Sequence, residues 1–166
     1  MTQQEKDKMT KSEILERLVL NELPNYLPGI NNLITSPIGT KDKWDFIINK
    51  DSVGDIKIRY KFQIYPNYVL QKDKYDYLMS TDYKNKYYMN CFIDGQILIW
   101  DLNSIPTPEW SIKEYTKNSS VIDKERIDKV ITNLNVTDAC IQLKTDINIV
   151  KLTQEAEEIF ESKKYF

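Results

Sequence analysis

The sequence predicts an α+β domain, an α/β/α sandwich whose central mixed, mostly antiparallel sheet lies between helices. Three observations point there. A helix-period apolar stripe opens the chain, two-residue alternation broken by turn signals fills its middle, and a helical pattern returns near the end. At 166 residues the chain is long enough for one cored domain and too short to expect two. Residues 1–9 are polar and expected to form a disordered lead-in, leaving 10–166 as a single domain.

Thr10 and Glu13 have capping-box spacing, which starts a helix over 11–23 that Pro24 stops. Its stripe is Ile14, Leu15, Leu18, Val19 and Leu23. Pro24, Pro28, Gly29, Pro37 and Gly39 make 24–42 an irregular connection, with a short strand at 32–35. Residues 43–62 alternate around the turn-like 49–54, which predicts a β-hairpin with one packed and one polar face. Trp44, Phe46 and Ile48 share a face, with Asp45, Ile47 and Asn49 opposite. Ile56, Ile58, Tyr60 and Phe62 pack, while Asp55, Lys57, Arg59 and Lys61 line the other side. Residues 65–74 read as loop or short helix, 75–80 as a strand, 82–86 as a turn and 87–93 as a strand. Asp94-Gly95 turns the chain into a strand over 96–102. Two prolines make 104–110 loop, Ser119-Ser120 precedes a short helix around 123–134, and 139–143 is a strand. Thr153 caps a final helix over 153–163.

The formal charge of -2 gives no global pull toward nucleic acid, so any such binding needs a local patch. No apolar run reaches the length of a membrane span, and the first ten residues lack a signal-peptide core, so a cytoplasmic chain with no membrane partner is expected. Cys91 and Cys140 lack metal-ligand spacing and read as free buried thiols. The sequence contains no histidine. That excludes Ser-His-Asp and Cys-His nucleophile systems, HNH-type nucleases and His-ligated zinc. There is no Walker A loop and no Rossmann glycine fingerprint. Any catalysis must run on carboxylates, Lys, Tyr and a borrowed metal or cofactor.

Asp55 and Lys57 project the same way from one strand, about 7 Å apart, and Asp45 joins them if the hairpin pairs in register. Phosphodiester cleavage needs a metal that polarises the phosphate and lowers the pKa of an attacking water. Mg²⁺ prefers a few carboxylate oxygens, and a nearby lysine stabilises the developing charge. Asp45 with Asp55-Ile56-Lys57 resembles the PD-(D/E)XK nuclease superfamily, which places an Asp on one strand and (D/E)xK on the next. Trp44 stands where the motif has proline, and the second acid is Asp. Residues 15–23 are similar to the helix of Holliday-junction resolvases and restriction endonucleases, where a glutamate precedes apolar residues three, four and seven positions on. Glu16, with Val19, Leu20 and Leu23, matches that spacing, while Glu22 lies nearer the centre of the apolar stripe. Both remain candidates for a further metal contact. Tyr75-Asp76-Tyr77-Leu78-Met79 resembles the strand that commonly follows the lysine strand.

The resemblance implies a restriction-endonuclease-like core and a DNA endonuclease of restriction or junction-resolving type. Asp45 and Asp55 would hold Mg²⁺ or Mn²⁺ with Glu16 or Glu22, Lys57 would serve the scissile phosphate, and a homodimer would address two strands. Arg59, Lys61, Lys41 and Lys43 are candidate DNA contacts, and lysines beside Trp44, Tyr75 and Tyr83 suit backbone binding and base stacking. The plainer reading of Asp45, Asp55 and Lys57 is a solvated sheet face with weak ion pairs. From that follows a second functional reading: a non-catalytic α+β domain, phage- or plasmid-encoded, that binds a protein or nucleic acid through Tyr-rich strands.

Overall fold

Alternation along 52–59 and 85–101 produces a sheet with two packable faces, and the chain covers both. The computed structural model describes residues 2–40, 42–60, 67–116 and 126–165. Lys41, Lys61, Phe62 and residues 123–125, on which expectations fell, lie outside the described residues. The described elements are α1 (Gln3–Glu22), β1 (Leu33–Thr35), β2 (Phe46–Ile48), β3 (Ser52–Arg59), β4 (Asn67–Gln71) and α2 (Lys72–Ser80). They continue with β5 (Asn85–Phe92), β6 (Gln96–Asp101), β7 (Ser111–Thr116), β8 (Arg126–Asn135), β9 (Ile141–Lys144) and α3 (Ile149–Ser162). Six strands form a central mixed sheet in the order β1-β2-β3-β5-β6-β9, and three form a smaller sheet ordered β4-β8-β7. In the central sheet β3 and β5 are parallel, whereas the other neighbours are antiparallel. A parallel pair needs a long crossover, and β4 with α2 supplies it.

The strand period of two divides the core. Phe46, Ile56, Met89, Cys91, Ile97 and Ile99 face α1 and α3, which contribute Ile14, Leu15, Val19, Leu20, Leu152 and Ala156. Val53, Tyr88, Phe92, Leu98 and Trp100 face the opposite way, onto Leu78 of α2 and Tyr68, Leu70 and Leu134 of the small sheet. The architecture is mixed α+β, with two helices on one face of the central sheet. The other face carries a helix and a second sheet, not helices alone.

Several sequence expectations change. The first helix begins at Gln3, and its capping box is Thr2 with Glu5, not Thr10 with Glu13. Inside the helix the Thr10 hydroxyl donates to Lys6 O, and Glu13 accepts the Gly39 amide at 2.8 Å. Residues 75–80 are helical, not a strand. Tyr75 packs against Trp110 and Leu78 faces the core, a three-residue spacing that suits a helix face. Residues 126–134 form a strand, not a helix. Ile127, Val130, Ile131 and Leu134 fit a helical period, but a run rich in β-branched residues pairs on both edges with β4 and β7. The final helix begins at Ile149 with Asn148 as cap, so Thr153 sits inside it. Cys91 is buried but Cys140 is exposed. Tyr60 is 53% exposed instead of packed. Trp44, which precedes β2, packs in the layer of α2 rather than beside Phe46.

Candidate functional site

The site is built on the β2–β3 hairpin. Asn49 and Lys50 have φ of 52° and 63°, the left-handed backbone a tight hairpin turn needs. The Asn49 side chain fastens that turn to the preceding connection: its oxygen accepts the Asn31 and Asn32 amides at 2.8 and 3.0 Å, and its nitrogen donates to Gly29 O. Phe46 pairs with Gly54, so continuing the register by one sets Asp45 opposite Asp55. The Asp45 amide donates to Gly54 O at 2.9 Å. Gly54 is therefore a strand residue, not part of the turn. A Cβ there would run into the Phe46 ring and stand 2.6 Å from Tyr87 O.

Asp45 and Asp55 meet at this place, and Glu16 lies within their field. Asp45 accepts the Ile56 amide at 2.9 Å through one oxygen and faces Arg17 Nη1 at 3.4 Å through the other. Asp55 lies on the face covered by α2, is 4% exposed, and shares a hydrogen bond with Asp45. Glu16 comes in from α1 and feels the charges of Asp45, Asp55 and Lys57. Burial first, and then repulsion from Asp45, pushes both Glu16 and Asp55 up to about 8. Burial also acts to raise Asp45, but the hydrogen bond from Asp55, the Lys74 charge, the Ile56 amide and Arg17 outweigh it and hold Asp45 below the usual range. Burial thus favours the neutral form of Asp55 and its neighbours favour the charged form of Asp45, while Lys74 acts against the first and with the second.

Two cations hold positions the sequence reading did not assign them: Lys74, read there with Lys72 as a lysine beside Tyr75 suited to nucleic-acid backbone, and Arg17. Lys74, on the first turn of α2, places its Nζ 2.6 Å from Asp55 Oδ1. Burial works against that ammonium, but Asp55 and Asp45 hold it well above the usual lysine range. The pairing of Lys74 with Asp55 was hidden because 75–80 read as a strand. A helix starting at Lys72 aims its first turn at the sheet. Arg17 is 2% exposed and donates from Nε to Ser36 O at 2.9 Å and from Nη2 to the Ser36 hydroxyl. Its signal was in the sequence: it lies three residues from both Ile14 and Leu20, a charge inside the apolar stripe.

The remaining candidates separate. Lys57 is exposed at the rim, with no ion pair or hydrogen bond among the described residues. Glu22 is six positions beyond Glu16, about 9 Å along the helix, and accepts a hydrogen bond from Asn25 at the helix end. It does not join the cluster. Arg59 turns inward, donating to Asn90 Oδ1 at 2.6 Å and to Val69 O at 3.2 Å, so it ties β3 to β5 and β4. Lys43 is exposed with its ammonium over the Tyr77 ring. Lys41 and Lys61 lie outside the described residues.

The donor set suits a hard divalent cation, since carboxylate oxygens are what Mg²⁺ and Mn²⁺ take. The electrostatics agree. Two of the three acids hold protons at neutral pH despite Arg17 and Lys74 nearby, so the cluster lacks positive charge. Among the described residues no group of three or more Cys, Asp or Glu side chains stands close enough together to hold a metal ion. No family model, curated protein or solved structure matches the chain.

Proposed function

We propose that the protein is a divalent-metal-dependent DNA endonuclease with a restriction-endonuclease-like core. The observation that carries this reading is the pairing of Asp45 with Asp55 across neighbouring strand positions, within the field of Glu16 from the helix and with Lys57 exposed on the same strand. The mixed sheet flanked by helices supports the fold comparison. A bound Mg²⁺ or Mn²⁺ would polarise the scissile phosphate and acidify an attacking water. Asp45, Asp55 and Glu16 would hold that ion through their oxygens. Asp45, held low by the Asp55 hydrogen bond, the Lys74 charge, the Ile56 amide and Arg17, is the acid ready to ligate at neutral pH. Lys57, free at the rim, meets the incoming backbone and stabilises charge on the phosphate. Glu22 and Arg59 have no part in this chemistry. A homodimer, with one site per strand, belongs to the same reading.

Purified protein incubated with plasmid and branched DNA is expected to nick in Mg²⁺ or Mn²⁺ and not in chelator. Asp55→Asn and Lys57→Ala are each expected to lower the cutting rate at least a hundredfold with an unchanged circular-dichroism spectrum. Cutting that survives both substitutions, or that never occurs with any metal, ends the nuclease reading. The second reading, a non-catalytic interaction domain, then takes over. One observation favours it: Ile112 and Val130, paired across β7 and β8, are 72% and 40% exposed.

A further inference from the structure

The ammonium of Lys74 already stands where the acids most need positive charge. Its Nζ lies 2.6 Å from Asp55 Oδ1. It acts on Asp45 more strongly than Arg17 does, and Glu16 also lies within its field. Its neighbour on α2 is committed elsewhere: Lys72 pairs with Asp76 at 2.6 Å and lies over the Trp110 ring. Lys74 reaches inward while Lys72 stays outside. A divalent ion bound to Asp55 would meet this ammonium within a few ångströms, and at that separation its double positive charge and the ammonium repel. At Asp55 Oδ1 the ion and the ammonium compete for the same oxygen.

We propose that Lys74 is the resident counter-cation of the carboxylate cluster, and that a divalent cation must displace it from Asp55 to bind. The inference rests on reading the cluster as a cation site. It makes α2 the gate of that site. Without the ion, Lys74 ties the helix to β3 and keeps the acids together. With the ion in place, the ammonium swings out toward solvent and the rim gains a second positive charge beside Lys57.

Calorimetric titration of Mn²⁺ into metal-free wild type, Lys74→Met and Asp55→Asn tests this. Lys74→Met is expected to bind Mn²⁺ at least tenfold more tightly than wild type, and Asp55→Asn more weakly than either. Equal affinities for wild type and Lys74→Met overturn the gate but leave the cation site standing, and weaker binding by Lys74→Met also overturns it. No binding by either protein overturns the cation reading and the gate with it. The wild-type chain supplies a second readout should Lys74→Met not fold. In acylation footprinting, Lys74 is expected to label at least threefold faster in saturating Mn²⁺ than in chelator, with the exposed Lys144 as internal reference. An unchanged rate in protein that binds Mn²⁺ by calorimetry overturns the gate.

Discussion

Glu16 and Asp55 keep their protons far above the pH at which free carboxylates lose them, and this sets how stability responds to pH. Their folded values, about 8, exceed the ordinary 4.5 and 3.8, so the native state binds more protons than the unfolded chain between those limits. Stability from these two groups is fully present below that window and is lost as pH rises through it. Asp45 works in the opposite sense, but only at pH below the ordinary carboxylate value. Metal-free protein is therefore expected to melt at falling temperature as pH climbs from about 5 to about 8. Glu16→Gln combined with Asp55→Asn is expected to flatten the curve, and an equal slope in that variant would refute the account. Arg17 makes a second residue-scale case. Replacing it with Met strands Ser36 O and the Asp45 carboxylate, and is expected to cost about 3 kcal/mol. Denaturant titration checks this through a lower midpoint at unchanged slope. The register that sets Asp45 opposite Asp55, with Lys57 two residues on along the strand, was legible in the sequence because strand alternation is local. The choice between Glu16 and Glu22 was not, since it turns on where the helix axis meets the sheet, a fact of packing and not of spacing.

The hairpin and α2 are the elements that carry the site. Gly54 brings β2, β3 and β5 close together: the Phe46 ring fills the space where a side chain would stand, and Tyr87 O closes the other side. Gly54→Ala is expected to destabilise the protein by about 1–3 kcal/mol through overpacking. It is also expected to weaken Mn²⁺ binding, because Asp55 is the next residue; an unchanged midpoint in denaturant would contradict this packing. The hairpin could be read in advance because period-two alternation and a turn signal occurred together. Residues 75–80 and 126–134 could not, because each short run satisfies both periods. Tertiary packing then decides: β8 has partners on both edges, and α2 packs Tyr75, Tyr77, Leu78 and Met79 in the second core layer. The pairing of Lys74 with Asp55 went unseen for the same reason, since it depends on the helix that was missed.

At the scale of the whole molecule, one sheet holds two cores. Its strands send alternate residues into the layer of α1 and α3 and the layer of α2 and the small sheet, so neither layer can dissolve without exposing the other's backing. Trp100 is fully buried on the second side and donates from Nε1 to Asn135 O at 2.9 Å, whereas most of the helix lies on the first side. Tryptophan fluorescence and far-ultraviolet circular dichroism are therefore expected to report a single, coincident transition in denaturant. Two separated midpoints would mean that the layers unfold independently. Composition and pattern foretold the α+β class, but they could not foretell the second sheet, whose β4–β8 pairing joins residues more than fifty positions apart.

The left-handed pair at Asn49 and Lys50 reaches further than its own loop. The two acids confront each other only because this bend fixes how many residues separate them, and a slip of one place would send Asp45 and Asp55 to opposite sides of the sheet. A mutagenesis campaign scoring nothing but chemical output would thus recover lesions at the bend, among side chains that never approach a substrate. Bulky β-branched replacements at position 50 head that roster of silent saboteurs, whereas glycine there should pass unnoticed.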